Sequence, residues 1–141
     1  MNQGYTFEDI LKVYEKAGVI PGAVVLVRGN LGNLFNYVKS DKSSILQAHY
    51  DALWELLGPQ GTLVVPTWNT SLCNTNIPFN MDTTPSWRMG VFSEYVRNKK
   101  EALRSRHPFV SYAAIGKHAE EITTNVSRHA YGPNSVKDRL I

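Results

Sequence analysis

The sequence predicts an α/β protein with a mainly parallel central sheet, and three observations lead to that class. The run "AVVLVRG" is rich in β-branched residues and bounded by glycines, which is typical of a strand buried on both faces. The run "TLVVPTW" is a second segment of this kind, and a helical pattern precedes each run. Because one helix lies between the two strands, the order indicates a right-handed βαβ connection, which joins parallel strands.

The first helix is predicted over residues 7 to 17. Thr6 is a suitable N-cap, and acidic residues follow it in the first turn, where they favour the positive end of the helix dipole. Apolar residues then recur at helical spacing: Phe7, Ile10, Leu11 and Tyr14. Gly18 ends the helix, and "IPG" forms the turn that leads into the first strand.

The second helix is predicted to begin at Ser43 or Ser44 and to end at "GPQG". One side of it is apolar apart from a histidine that we interpret as an ordinary helix-face residue: Ile45, Ala48, His49, Ala52, Leu53, Leu56 and Leu57. The second strand, "TLVVPTW", follows directly. Together these elements form the expected unit of strand, helix and strand.

The rest of the chain predicts a long loop and smaller elements. Residues 69 to 86 lack periodicity and are rich in Asn, Thr and Pro, so we expect a loop that overhangs a site. A third helix is expected from near Met89, then an extended "FVSYAAIG", a fourth helix in "KHAEEITTNV" and a last helical turn. With no linker or repeat, residues 1–141 are interpreted as one domain.

Composition limits the classes of function. The chain has 141 residues, 43% hydrophobic and 19% charged, with a net charge of +3. No apolar run approaches the roughly 20 residues of a membrane span, and the N-terminus lacks the features of a secretory signal, so we expect a cytoplasmic protein without membrane contact. Cys73 has no partner for an internal disulfide. The basic residues lack interleaved aromatics, which argues against nucleic acid.

Familiar catalytic motifs are missing. The four histidines lack the spacing of a zinc site, so no metal is expected, and there is no G-x-S-x-G segment for a serine nucleophile. The loop "RGNLGN" after the first strand has glycines whose backbone could approach an anion, but it is not a P-loop. His107, in "RSRHP", is open to two interpretations: a catalytic base or a residue that holds a turn.

Four segments, in order and with similar gaps, resemble the aminoglycoside 3-N-acetyltransferase family. They are "GPQGTLVVPTW", "NMDTTPSWRMG", "RSRHPFVSYAAIGKHAEEI" and "YGPNSVKDRL", and the upstream "AGVIPGAVVLVRGNL" extends the match. The resemblance implies a three-layer α/β/α fold with a mainly parallel or mixed sheet. It also implies transfer of an acetyl group from acetyl-CoA to an amine of an aminoglycoside, an activity of antibiotic resistance. The small-molecule partners would be this cofactor and amine.

The resemblance implies residues for two sites. Those expected at acetyl-CoA are Arg28, Gly29, Asn30, Leu31, Pro66, Thr67, Ser86, Arg88 and Met89. Those expected at the acceptor amine are Trp68, Asp82 and His107. Among the first group, Arg88 is the strongest candidate for an anion contact, because a guanidinium matches phosphate oxygens with two parallel donors.

Two departures from the family qualify these implications. Arg28, Gly29 and Asn30 stand where the family usually has His-Ser-Ser. The family's likely base is a histidine that would lie beyond Ile141, so the chain corresponds to the N-terminal, CoA-binding half, with His107 as a weak alternative base. The chain would then be inactive alone unless another chain supplies the base. Other interpretations stay open: another amino sugar or a polysaccharide precursor as acceptor, a truncated remnant without catalysis, and a homo-oligomer.

Overall fold

A computed structural model describes residues 4–30, 34, 36–39 and 41–141. Its elements alternate between helix and strand along most of the chain. In order they are α1 (Phe7–Lys16), β1 (Val24–Leu26), α2 (Lys42–Leu57), β2 (Thr62–Pro66), a 3-10 turn (Thr70–Leu72), α3 (Val91–Arg97), β3 (Leu103–Arg104), β4 (Tyr112–Gly116), α4 (Ala119–Thr123) and α5 (Val136–Arg139). The predicted α/β class is confirmed.

The described strands form one four-stranded sheet in the order β1-β2-β4-β3. β1 and β2 are parallel and are joined through α2, as the sequence predicts. β4 runs antiparallel to both β2 and β3. The sheet is therefore mixed, which is within the mainly parallel or mixed sheet that the resemblance implies. The order of helices and strands alone favours a mainly parallel sheet, but the short connection between β3 and β4 reverses the chain, so β4 is antiparallel to both of its neighbours.

The core has a layer of helix on each face of the sheet. On one face, β2 and β4 pack against α2 and α3 through residues that include Leu53, Leu57 and Val96, all fully buried. Each such leucine contributes roughly 1.5–3 kcal/mol by leaving water. On the other face, Val64 and Tyr112 pack against α4 and α5. α1 packs against α2, so the three-layer arrangement that the resemblance implies is present.

β1 differs from the prediction. The strand was expected to be buried on both faces, but Val24 and Leu26 are 43% and 44% exposed. Val25, which alternates with them, packs against the core on the α2 side. β1 lies at the edge of the sheet, and the cluster formed with α4 and α5 includes Val64 of β2 but no residue of β1. The apolar run is therefore buried on one face only.

Several boundaries also differ from the predictions. The N-cap of α2 is Asp41, whose carboxylate accepts from the Ser44 backbone amide at 2.8 Å, so a start at Ser43 or Ser44 is wrong. α3 begins at Val91, just after Met89, and β3 was not predicted. The predicted N-cap of α1 at Thr6 is confirmed, and the structure adds a capping box, since Thr6 and Asp9 accept from each other's backbone amides.

His49 has a more specific place than the helix-face role predicted for it. It is 5% exposed, with Nδ1 2.7 Å from the Tyr14 hydroxyl and Nε2 3.2 Å from the Tyr5 hydroxyl. Tyr5 also donates to the Leu34 carbonyl, so Nε2 carries the proton and Nδ1 accepts from Tyr14. Burial lowers the pKa of His49, which favours this neutral ring.

None of the helices in the described ranges is both long and apolar enough to cross a bilayer.

Candidate functional site

Two loops meet at one end of the sheet and enclose a cavity of about 460 Å³. The first loop, Arg28 to Asn30, follows β1, and the second runs from Arg88 into the start of α3 at Val91. In α/β sheets, ligands bind beyond the carboxyl ends of parallel strands, which is where the first loop lies. The cavity is therefore the first candidate for a binding site.

A glycine at the start of α3 permits this approach. Gly90 has φ of 92°, a conformation that favours glycine, and a Cβ atom there would lie 2.6 Å from the carbonyl oxygen of Gly29. The two backbones are thus nearly in contact. Any larger residue at position 90 would push the loop after β1 away from α3.

The cavity is bordered by two arginines. The Arg28 guanidinium lies 5.4 Å from the centre of the Trp68 ring, and that of Arg88 lies 5.5 Å from the Trp87 ring. Both arginines are exposed, and neither forms a salt bridge in the part of the chain that the structure describes. A guanidinium stacked on a ring keeps its N–H donors available in its own plane. The cavity can therefore accept an anion such as a phosphate.

A second cavity of about 680 Å³ adjoins the first and shares the wall from Arg88 to Val91. Its other walls carry Lys42 and Lys99. The Lys99 ammonium lies 4.2 Å from the Tyr95 ring and 4.6 Å from the Tyr50 ring. A hydrogen bond to Tyr95 raises the pKa of Lys99, so this group stays charged. The two cavities form one basic cleft.

Glu94 is the acidic group in the cleft, and it holds the adjacent loop. Its carboxylate accepts from Arg97 Nε at 2.7 Å and from the Ser86 backbone amide at 2.7 Å. Burial alone would raise the pKa of Glu94, but these hydrogen bonds outweigh it and lower the pKa to about 2. The group is therefore an anion at neutral pH. Its charge is matched by Arg97, which leaves the nearby cations free to meet an anionic ligand.

Glu94 should make the free energy of unfolding depend on pH in the acid range. Its pKa falls from 4.5 to about 2 on folding, so its contribution is full above about pH 5 and is lost as the pH drops toward 2. Because the side chain is 31% exposed, we expect roughly 1–2 kcal/mol of unfolding free energy in this window. Urea unfolding from pH 7 to pH 3 measures it.

The matched control for this effect is Glu120→Gln, which changes an exposed carboxylate of α4. Glu94→Gln should flatten the acid dependence, whereas Glu120→Gln should leave it as in the wild type. Equal acid dependence in the wild type and Glu94→Gln would show that other carboxyl groups carry it.

Arg104 of β3 anchors the loop from residue 69 to residue 86. Its guanidinium donates to the carbonyls of Met81, Thr84 and Thr67 and lies 4.9 Å from the Phe79 ring. Burial, and then repulsion by Arg97, lower the pKa of Arg104 to about 10, so it remains charged at neutral pH. The sequence predicts a loop without periodicity here, and these contacts give that loop a defined path.

The structure brings together many residues expected at acetyl-CoA but not all of them. Arg28, Gly29, Asn30, Arg88 and Met89 line the first cavity, and Ser86 lines the second. Leu31 lies outside the described residues. The wall residues that sequence reasoning did not assign to the site are Lys42, Gly90, Glu94 and Lys99. The one local signal among them is the glycine directly before α3, because the other three share no motif or spacing along the chain.

Pro66 and Thr67 do not line either cavity. Both are buried, and the Thr67 hydroxyl lies 2.9 Å from Ser111 Oγ and accepts from Arg104 Nε at 3.2 Å. The Thr67 hydroxyl is thus engaged inside the protein. Its expected contact with acetyl-CoA stays a prediction.

The residues expected at the acceptor are dispersed. Trp68 lies beneath Arg28 beside the first cavity, and Asp82 is exposed in the anchored loop. His107 lies in the turn before β4, where Nδ1 accepts from the Phe109 and Val110 amides at 3.2 and 3.0 Å. Burial lowers the pKa of His107. This geometry fits the turn-holding interpretation of "RSRHP".

Within the described ranges, no group of three or more His, Cys, Asp or Glu side chains is arranged to hold a metal ion.

The chemistry that the cleft itself offers is anion binding by guanidinium and ammonium groups. The neutral ring of His107 has its Nδ1 engaged by the backbone, so Nε2 is the atom left for any contact with a ligand.

Comparisons with known proteins agree with the resemblance seen in the sequence. The sequence model of a family described as aminoglycoside 3-N-acetyltransferase matches residues 33–141. An aminoglycoside N(3)-acetyltransferase IV from Salmonella sp is 36% identical over 109 residues, which is 77% of this chain and 38% of that protein.

Solved structures share the fold. The apoenzyme of the aminoglycoside acetyltransferase AAC(3)-IVa superposes with a TM-score of 0.82 and 28% identity, covering 99% of this chain and 52% of that one. A structure of AAC-IIIb with CoASH has a TM-score of 0.81 at 21% identity, covering 97% of this chain and 56% of that one, and shows the fold alone. The chain therefore spans about half, or less, of the length of these relatives.

Proposed function

Because the chain belongs to the aminoglycoside 3-N-acetyltransferase family, we propose that it is the acetyl-CoA-binding part of an N-acetyltransferase. The acceptor would be an amine of an aminoglycoside or a related amino sugar. The activity after which these relatives are named supports this acceptor class, and the CoASH in a structure of the same fold supports the cofactor. A cytoplasmic location is part of the same proposal.

The observation that carries the proposal is the basic cleft between the loop after β1 and the start of α3. Acetyl-CoA is an elongated molecule with a diphosphate, a further phosphate and a long uncharged arm. Arg28, Arg88, Lys42 and Lys99 supply positive charge along the cleft, and Met89 and Val91 supply an apolar wall. The residues present therefore fit the charged and uncharged parts of this cofactor.

Bound acetyl-CoA would supply a thioester whose carbonyl carbon forms the new bond to the amine nitrogen, while the C–S bond breaks and CoA leaves as its thiol. The part of the reaction that this chain can perform is binding and orientation. Arg88 would hold a phosphate, and the backbone from Arg28 to Asn30 would fix the uncharged arm. The amine must lose a proton before it attacks, and a positioned base is needed for that step. The resemblance places that base beyond Ile141, so turnover by residues 1–141 alone is not expected.

Calorimetric titration of the chain with acetyl-CoA tests the proposal. Arg88→Ala removes one charged donor from the cleft and should weaken binding roughly tenfold, as expected for one charge-assisted hydrogen bond. Arg128→Ala, at an exposed arginine outside the cleft, is the matched control and should bind as the wild type does.

Absence of binding in the wild type would remove the CoA-binding proposal. Binding with unchanged affinity in Arg88→Ala would remove only the role of Arg88. Release of CoA by purified residues 1–141 with an aminoglycoside would show that the base lies within this chain, and His107→Gln would then test the one histidine expected near the acceptor.

One observation favours a different acceptor. Aminoglycosides are polycations and are held by carboxylates, yet Asp82 is the single acidic residue between positions 69 and 86. An amino sugar with fewer charges would need fewer carboxylates. Titration with a series of amines of increasing charge, in the presence of CoA, would separate the two acceptor classes. A mass measurement on the native protein would separate an enzyme of family length from a short remnant.

A further inference from the structure

Arg28 lies on a different side of the cleft from its lysines. The Arg28 guanidinium is 5.4 Å from the centre of the Trp68 ring, and Trp68 packs with Tyr112 and with residues of α4 and α5. Lys42 lies on α2 and Lys99 lies just beyond α3, and these helices pack on the opposite face of the sheet. Arg28 can therefore serve a different part of the reaction from the two lysines.

The Trp68 ring supports this guanidinium from the core. The rings of Trp68 and Tyr112 meet edge to face with centroids 6.0 Å apart, and Tyr112 is 1% exposed at the start of β4. Burial raises the pKa of Tyr112, and the charge of Arg28 is close enough to act against that shift. A guanidinium stacked on a ring presents its N–H donors at its edge, where they match the two oxygens of a phosphate or carboxylate. Arg28 is thus placed to bind an oxyanion.

The loops at this end of the sheet carry more positive than negative charge. Residues 27–30, 67–94 and 104–111 meet there, because β1 and β2 are parallel and the end of β2 pairs with the start of β4. Their arginines and their acidic residues are Arg28, Arg88, Arg104, Arg106, Asp82 and Glu94. Glu94 is matched by Arg97, and Arg104 donates to neutral carbonyl and hydroxyl oxygens. Positive charge therefore remains at this end of the sheet.

This charge is the reverse of what a polycation requires. An aminoglycoside carries several ammonium groups, which unmatched guanidinium groups repel and carboxylates attract. We propose that the acceptor is an amino sugar that also carries an oxyanion, a phosphate or a carboxylate, and that Arg28 binds this oxyanion. The inference rests on the proposed function, since it names the acceptor of the same reaction. It also gives a role to an arginine that stands where the family usually has histidine.

An oxyanion held by Arg28 would orient the acceptor. The guanidinium attracts the oxyanion and repels an ammonium group, so the two ends of the sugar are distinguished. The chemistry of transfer is unchanged: the amine nitrogen bonds to the acetyl carbonyl carbon, the C–S bond breaks, and the proton of the amine passes to the base. Arg28 acts here by binding and orientation.

A matched series of amino sugars, titrated into residues 1–141 and followed by NMR, tests the inference. Glucosamine is the parent amine, glucosamine 6-phosphate and muramic acid add a phosphate or a carboxylate, and kanamycin is a polycation. Inorganic phosphate is the control for an anion without a sugar. Each titration is run with and without saturating CoA, and the side-chain Nε–H resonance of Arg28 reports contact with the ligand.

We expect an anionic amino sugar to bind roughly tenfold more tightly than glucosamine, as for one charge-assisted hydrogen bond, and to do so with CoA present. Arg28→Met keeps an unbranched side chain but removes the charge, so it should abolish this preference. Arg28→Lys restores the charge without the planar fork and should recover part of it. Lys12→Met removes an equal charge from an exposed position on α1 and should keep the full preference.

Equal binding of glucosamine and both anionic sugars, or a preference that Arg28→Met retains, overturns the inference. Arg28 is exposed, so its variants should fold, as checked by circular dichroism. Loss of the anionic sugar when CoA is added also overturns the inference, because the anion site would then belong to the cofactor. So does binding of inorganic phosphate as tight as that of glucosamine 6-phosphate, or tighter binding of kanamycin. These outcomes leave the proposed function standing, whereas failure of acetyl-CoA to bind removes both.

Discussion

Replacement of Arg104 by methionine is expected to destabilise the protein by about 3 kcal/mol and to release the loop from residue 69 to residue 86. Charge-assisted hydrogen bonds contribute roughly 1.5–3 kcal/mol each, and this guanidinium reaches three carbonyls of Thr67, Met81 and Thr84. Methionine keeps much of the contact with Phe79 but provides no donor. Thermal unfolding should show a midpoint lowered by roughly 6–10 °C.

Arg106→Met is the matched control, because Arg106 is exposed two residues away. It should unfold as the wild type does. Limited proteolysis gives a second measurement, since Arg104→Met should be cut within the loop sooner than either control or wild type. A midpoint within 2 °C of the wild type, with the loop still resistant, would show that the anchoring is not due to Arg104.

Substitution of Gly90 by alanine is expected to weaken acetyl-CoA binding by roughly 100-fold, corresponding to about 2.7 kcal/mol. The new Cβ would lie 2.6 Å from the Gly29 carbonyl oxygen, so the loop after β1 must move away from α3. That movement would separate the two walls of the cleft. Calorimetric titration with acetyl-CoA measures the effect.

Gly18→Ala separates the contact from backbone strain. Gly18 has φ of 96°, close to the 92° of Gly90, but a Cβ there meets no atom within 4 Å. Both variants should lose roughly 1–2 kcal/mol of stability from the unfavourable φ, whereas only Gly90→Ala should lose affinity. Equal affinities in the two variants would show that the Gly29 contact does not shape the cleft.

The local elements of the fold are predictable because their signals are local. The capping box of Thr6 and Asp9, the apolar side of α2 and the glycine after α1 all fix structure within a few residues. The position of a strand within the sheet is not local. β1 has the composition of a strand buried on both faces, but nothing within it shows that α4 and α5 stop short of it.

The cleft is predictable only in part, for the same reason. Arg28, Gly29 and Arg88 are identified by their place after a strand and by the resemblance. Lys99 lies just beyond the C-terminal end of α3, and its place in the cleft depends on how α3 lies against α2. The two-residue β3 is too short to show a period, so the sequence does not identify Arg104 as the residue that anchors the loop.

The manner in which Arg104 holds its loop has a consequence for how such a loop can evolve. The guanidinium donates hydrogen bonds to the main-chain oxygens of Met81 and Thr84, and every amino acid has that oxygen. Side chains along the loop can therefore be exchanged while its path over the protein is kept. The side chains of the loop can therefore change to suit a different ligand, while Arg104 keeps the backbone of the loop in place.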